Sequence, residues 1–186
     1  MSSSLPRLEV ALEALLGNRL GAGVYRRWVR GLGLTGTERV LDVGCGAGAC
    51  VRHIAAALPA GSLTCLDVDA RWLAIARKRL TGYDRAEFTI GDITRWKRAG
   101  AFDAATLHFV LHDIAGEQRD AALGNIAESL APGGRLFIRE PTGHGMSAEE
   151  LLGLLDRSGF RMRGPAVYEK LPLMGETIAA EWVIGA

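Results

Sequence analysis

The chain has 186 residues, with 22 Lys plus Arg against 21 Asp plus Glu for a net charge of +1, and 48% of its residues are hydrophobic. That length suits one domain with a real core and is too short for a dehydrogenase with a separate substrate domain. The balanced charge, with no long run of one sign, gives no support for a nucleic-acid partner, and no apolar run approaches the roughly 18 residues of a membrane span. The opening Met-Ser-Ser-Ser-Leu-Pro-Arg lacks the apolar stretch of a secretory signal, so a cytoplasmic protein is expected. Cys45, Cys50 and Cys65 form no CxxC pair and have no His at zinc spacing, so neither a metal nor a disulfide is expected.

In chain order, Leu8, Leu12, Leu15, Leu16, Leu20, Val24 and Trp28 fit an amphipathic helical segment, interrupted near Gly17 and again at Gly21-Ala-Gly23. Residues 1–36 therefore read as a tail and helical cap, and 37–186 as the main domain. Strand patterns follow at Val40–Val43, Ser62–Leu66, Ala86–Thr89, Ala104–Leu107, Arg135–Arg139, Phe160–Tyr168 and Thr177–Ile184, with helical patterns between most of them. Strands alternating with helices predict a mainly parallel sheet. The last two strands have no helix between them and predict a terminal hairpin with an antiparallel final strand.

The stretch Val40-Leu-Asp42-Val-Gly44-Cys45-Gly46-Ala-Gly48 carries the strongest functional signal. An apolar strand runs into glycine at every second position and then into a helix with Val51, Ile54, Ala55 and Leu58 at helical spacing. Glycines without a Cβ let a ligand lie against bare peptide groups, and a helix N-terminus suits a carboxylate or phosphate. A nucleotide-like ligand is therefore expected. Gly44-x-Gly46-x-x-Ala49 also fits the looser dinucleotide fingerprint, so the loop alone is compatible with NAD. The second strand ends in Asp67, where an acid can accept hydrogen bonds from both hydroxyls of an adenosine ribose. Asp69 reads as a helix N-cap and Trp72 as a core residue.

The Asp42–Gly48 loop resembles the cofactor loop of class I S-adenosylmethionine (SAM)-dependent methyltransferases, and later segments match that family in order. The resemblance implies an α/β, Rossmann-like methyltransferase fold, SAM as cofactor and S-adenosylhomocysteine (SAH) as product. It implies cofactor contacts from Asp42, Gly44, Cys45, Gly46, Gly48 and His108, with Asp67 as ribose acid and Val68 beside the adenine. Ile90-Gly91-Asp92-Ile93 looks like the adenine turn, Asp92 reaching the exocyclic amine and Ile93 covering the ring. Taken alone, Asp92 after a glycine is equally an ordinary turn residue. Phe102–His108 is similar to the family's fourth strand and Leu130–Leu136 to the turn into its fifth, where Pro132-Gly133-Gly134 stops a helix. These matches cover residues 40–140, and the terminal hairpin extends them. The NAD reading explains only the first two features and lacks a Tyr-x-x-x-Lys pair, since Tyr25, Tyr83 and Tyr168 have no Lys four positions on.

Methyl transfer from a sulfonium is an in-line displacement, for which orientation alone supplies about 7–11 kcal/mol in favourable cases. An acceptor that carries a proton gains further from a nearby imidazole. His108-Phe-Val-Leu-His112-Asp113-Ile-x-x-Glu117 is similar to the His-Asp segment of caffeate-type small-molecule O-methyltransferases, in which that His is the general base. Glu140 matches an acid flanking the base. The resemblance thus implies His112 as base beside Glu140, a small-molecule acceptor methylated at oxygen, and no metal. A His-Asp pair here also serves in many relatives merely to cap or pack a helix. The chain as given lacks that subgroup's large N-terminal dimerisation domain, so its substrate class does not carry over. His144 reads as a cleft residue or a solvated loop His, and Tyr25 as a cover for the cofactor's methionine end or as part of the helical cap. Leu107-His108-Phe109-Val110 differs from the Asn- or Asp-Pro-Pro-Tyr/Phe of DNA and RNA amino-methylating relatives. The alternative of another class is a non-catalytic SAM-binding module, separated from an enzyme by turnover. Oligomeric state is left open.

Overall fold

The computed structural model describes residues 22–143, 145–171 and 174–185. His144 and the expected helical positions Leu8 to Leu20 lie outside those residues. The elements are α1 (Ala22–Gly31), β1 (Arg39–Val43), α2 (Val51–Ala57), β2 (Ser62–Asp67), α3 (Ala70–Arg79), β3 (Ala86–Ile90) and β4 (Phe102–His108). Two short 3₁₀ turns at Leu111–Asp113 and Gly116–Gln118 lead into α4 (Arg119–Ser129), followed by β5 (Leu130–Pro141), α5 (Ala148–Arg157), β6 (Phe160–Leu171) and β7 (Gly175–Ile184).

All seven strands join one sheet in the order β3-β2-β1-β4-β5-β7-β6. The pairs β1–β2, β1–β4, β2–β3 and β4–β5 are parallel. Strand β7 is antiparallel to both its neighbours, as the helix-free ending predicts. Alternate residues of each strand serve opposite faces. Val40, Leu63, Cys65, Ala104 and Phe137 pack with Trp28 and Val29 of α1, Val51 and Ile54 of α2, and Leu73 and Ala76 of α3. Leu41, Val43, Leu66, Ala105, Leu107, Leu136 and Ile138 pack with Leu123 and Ile126 of α4 and Leu151, Leu154 and Leu155 of α5. Covered on both sides, the central strands need apolar residues on both faces, which is why they read as nearly continuous apolar runs.

Several expectations are corrected in detail. Gly23 lies in the first turn of α1, and Gly17 and Gly21 lie outside the described residues. Strand β5 begins at Leu130 instead of Arg135, because Leu130 pairs with Phe102 across an irregularity in the β4 ladder. Helix α4 does end just before Pro132-Gly133-Gly134. Asp69 caps α3, its side chain accepting from the Arg71 backbone N–H at 2.8 Å. Trp72 is half-buried and belongs to neither core cluster, whereas its neighbour Leu73 faces the sheet and is buried there. No helix among the described residues is long and apolar enough to cross a membrane.

Candidate active site

The strand order reverses between β1 and β4, so a crevice opens outside their carboxyl ends, where ligands of open α/β sheets bind. The glycine loop leaves β1 at that point. The N–H groups of Gly44 and Cys45 donate to the Leu66 carbonyl at 2.8 and 3.1 Å, tying the loop to the end of β2. Gly44, Gly46 and Gly48 all take the left-handed backbone, with φ of 63°, 52° and 78°. Each has its own spatial reason. A Cβ on Gly44 would sit 2.6 Å from Val110 Cγ2, and one on Gly48 would sit 3.0 Å from Ala76 Cα in α3. A Cβ on Gly46 would meet no protein atom within 4 Å, so that peptide faces open space.

Asp67 is buried at the end of β2, and its Oδ2 accepts from the Gly46 N–H at 2.8 Å while Oδ1 accepts from Asp69 N–H at 2.9 Å. Burial raises its pKa despite those two bonds. Val68 and Ile90, at the ends of β2 and β3, are 69% and 64% exposed, an uncommon state for large apolar side chains at strand ends. Asp92 uses Oδ1 to accept from the Thr94 N–H and hydroxyl at 2.9 and 2.8 Å, which builds the turn after β3. Ile93 packs into the core cluster beneath that turn. Asp42 is buried under the loop and hydrogen-bonded by the Thr106 hydroxyl, and burial pushes its carboxyl up to about 7. Cys45 is a buried free thiol whose pKa is raised, first by its contact with Cys65. An open peptide at Gly46, an acid at Asp67 and two exposed apolar side chains suit an adenosine ligand, so the residues present fit SAM.

On the other side of the crevice, Glu140 at the end of β5 is 0% exposed and gathers four donors. Its Oε1 accepts from the N–H groups of Val110 and Leu111, both at 2.8 Å. Its Oε2 takes the His112 N–H at 3.3 Å and lies 2.7 Å from His112 Nδ1. The carboxylate therefore both pins the segment after β4 and orients the imidazole. The hydrogen bond to Glu140 raises the His112 pKa, against a smaller opposing effect of burial. With Nδ1 engaged, Nε2 is the nitrogen left for chemistry, and Asp113 Oδ1 lies 3.5 Å from it. Arg119 braces the same segment through the carbonyls of Ile114 (2.9 Å) and His112 (3.3 Å).

His108 ends β4 among aromatic rings, with centroid distances of 5.0 Å to Tyr25, 4.6 Å to Trp28 and 4.1 Å to Phe109. Burial lowers its pKa to about 3, so it is neutral at ordinary pH, and its Nε2 has no partner among the described residues. Tyr25 thus packs against the site rather than within the helical cap alone. Phe109 has φ 62°, the single non-glycine with positive φ among the described residues. A bulky side chain there is a strained outlier of the kind that clusters at functional sites. Sequence reasoning missed Phe109 and Arg139, and named Ile90 only as the opening of the adenine turn. Arg139 had left a signal, a charge within the apolar run Leu136-Phe-Ile-Arg-Glu140.

Residues 40–134 match a family model described as a methyltransferase domain. The chain is 36% identical over 111 residues to a demethylmenaquinone methyltransferase of Tropheryma whipplei, covering 59% of this chain and 44% of that protein. It is 33% identical over 138 residues to a ubiquinone/menaquinone biosynthesis C-methyltransferase of Syntrophotalea carbinolica, covering 68% of this chain and 55% of that protein. The chain spans from a quarter to about half the length of the curated relatives it first matches. The N-methyltransferase NodS of Bradyrhizobium japonicum, solved with SAH, superposes with a TM-score of 0.80 at 22% identity, covering 96% of this chain and 98% of that one. The match over half the sequence, together with the seven-stranded topology, places this chain in the class I, SAM-dependent methyltransferase family.

Proposed function

We propose that the protein transfers the methyl group of SAM to an oxygen of a small-molecule acceptor, with His112 as general base. The observation that carries this reading is the His112–Glu140 pair, a partly accessible imidazole hydrogen-bonded at 2.7 Å to a fully buried carboxylate. Glu140 accepts the Nδ1 proton of neutral His112, which leaves the Nε2 lone pair available. As the acceptor oxygen bonds to the methyl carbon, its proton moves to Nε2, and the Glu140 carboxylate stabilises the imidazolium formed. When bound, SAM supplies an electrophilic methyl on a sulfonium, and the bonding pair leaves with sulfur to give SAH. Asp67, Val68, Ile90 and Asp92 hold the adenosine end, and Gly46 offers its bare peptide. Asp42, Cys45 and Thr106 support the loop from beneath, and Ile93 supports the adenine turn.

A carbon acceptor is the second reading, favoured by the names of the curated relatives, a demethylmenaquinone methyltransferase and a C-methyltransferase. Either acceptor gives up a proton, so His112 serves both. The test is SAH release from SAM over a panel of phenols, catechols and quinols, with the methylated position read by mass spectrometry and NMR. His112→Gln should keep SAH affinity within about threefold and cut turnover by roughly 10²- to 10⁴-fold, the usual scale of acid–base catalysis. Near-normal turnover would leave orientation alone as the mechanism, and SAH binding without turnover of any acceptor would favour a non-catalytic module.

A further inference from the structure

Arg139 lies on β5 directly across from His108 on β4, so the two side chains stand on the same face of the sheet. The Arg139 side chain is 5% exposed. Its Nη2 donates to Glu169 Oε2 at 3.0 Å, while Nε and Nη1 are buried with no hydrogen-bond partner among the described residues. Beside it, His108 Nε2 is also buried without a partner among the described residues. Native proteins pair nearly all such atoms, so three orphans on two neighbouring residues mark a place where a ligand's polar atoms belong. Tyr25, Trp28 and Phe109 crowd the imidazole with their rings, giving the place aromatic walls.

The charge around the guanidinium selects the kind of ligand. Burial is the main effect that disfavours the charged form of Arg139, Glu169 is the carboxylate that offsets it, and the exposed Arg27 adds only a small effect in the direction of burial. A guanidinium this buried, with one hydrogen bond to a partly exposed carboxylate, keeps two donors directed at a ligand, which an anion completes better than a neutral carbonyl. Position selects the source. Apart from His108, which ends β4, the expected cofactor residues lie at or just after the ends of β1, β2 and β3, whereas Arg139 stands on β5 and reaches past β7 to Glu169 on β6.

We propose that Arg139 and His108 form a subsite for a carboxylate of the methyl acceptor, making the acceptor a small aromatic acid. This rests on the methyltransferase reading and narrows it to a substrate class. The probes are 4-hydroxybenzoate and 4-hydroxybenzamide, which share shape and differ in charge, titrated by calorimetry into the protein saturated with SAH. The acid should bind at least about tenfold more tightly than the amide. Arg139→Gln should abolish that preference while SAH affinity stays within about threefold, and Glu169→Gln, which frees a third donor, should tighten the acid at least about threefold. An acid no tighter than the amide on the wild type would overturn the subsite. So would an Arg139→Gln variant that loses SAH affinity and keeps the acid preference, since the guanidinium would then serve the cofactor's own carboxylate. Should Arg139→Gln not fold by circular dichroism, an unchanged acid affinity in Glu169→Gln would overturn the proposal by itself. Failure of the wild type to bind SAH would instead overturn the methyltransferase reading, and the acid–amide difference can still be measured without SAH.

Discussion

At the scale of single residues, Glu140 draws the His112 pKa upward and burial pulls it down, with a net rise. The sign has two consequences. A base must be neutral to act, so the rate should fall as pH drops through a midpoint above the usual ~6.5 of histidine. The stability that the protonated pair adds is fully present below the unfolded pKa and is lost as pH rises through the folded one. Glu140→Gln would place an amide N–H₂ or a neutral carbonyl opposite Nδ1. Its rate profile should move to lower pH, and the plateau should fall where the amide forces the proton onto Nε2; an unmoved midpoint would remove Glu140 as the cause. Asp42 makes the opposite kind of statement about ionisation. Its carboxyl is raised to about 7 by burial, so the folded state holds the proton more tightly than the unfolded chain, and stability is lost as pH rises from about 4 to about 7. Asp42→Asn can still accept from the Thr106 hydroxyl. Its stability relative to wild type should grow across that window by up to a few kcal/mol, read as a difference in urea midpoints.

Among elements, the glycine loop separates two jobs that the sequence merges. Gly46 faces open space and Gly48 faces the backbone of α3, although both have positive φ. Both valine variants carry left-handed strain of about 1–2 kcal/mol. Gly46→Val should therefore lose SAH affinity by at least tenfold with only that loss of stability. Gly48→Val should lose a further 1–3 kcal/mol or so from crowding against Ala76. Thermal unfolding and SAH calorimetry on the two proteins would show the difference, and equal losses in both assays would mean that the loop acts as one unit. The positions of these glycines were legible because a strand–loop–helix junction leaves a distinctive pattern. Their separate neighbours were not, because Val110 and Ala76 arrive from distant parts of the chain.

Over the whole molecule, the central strands were legible because a sheet covered on both faces demands apolar runs, and the antiparallel ending because a helix was missing. Asp67 and Glu140 were legible through their places at strand ends, and His112 through the resemblance of the segment that follows β4. Ile90 read only as the first residue of the turn after the third strand, and nothing local tells that its side chain is left 64% exposed. Phe109 kept its backbone conformation hidden because the strain is imposed from outside, by its N–H bonded to Arg139 and the next two held by Glu140. The segment so fixed carries Val110, whose methyl groups fill the space that a Cβ on Gly44 would need. That contact binds the history of two distant positions together. Gly44→Ala alone meets both the clash and the left-handed strain, about 2–5 kcal/mol in sum, whereas on a Val110→Ala background little more than the strain of ~1–2 kcal/mol should persist. A double-mutant cycle by urea unfolding should return a coupling of about 1 kcal/mol or more, and additivity would deny the contact. Descent can then cross this pair in one order only, the valine shrinking first and the glycine yielding after it.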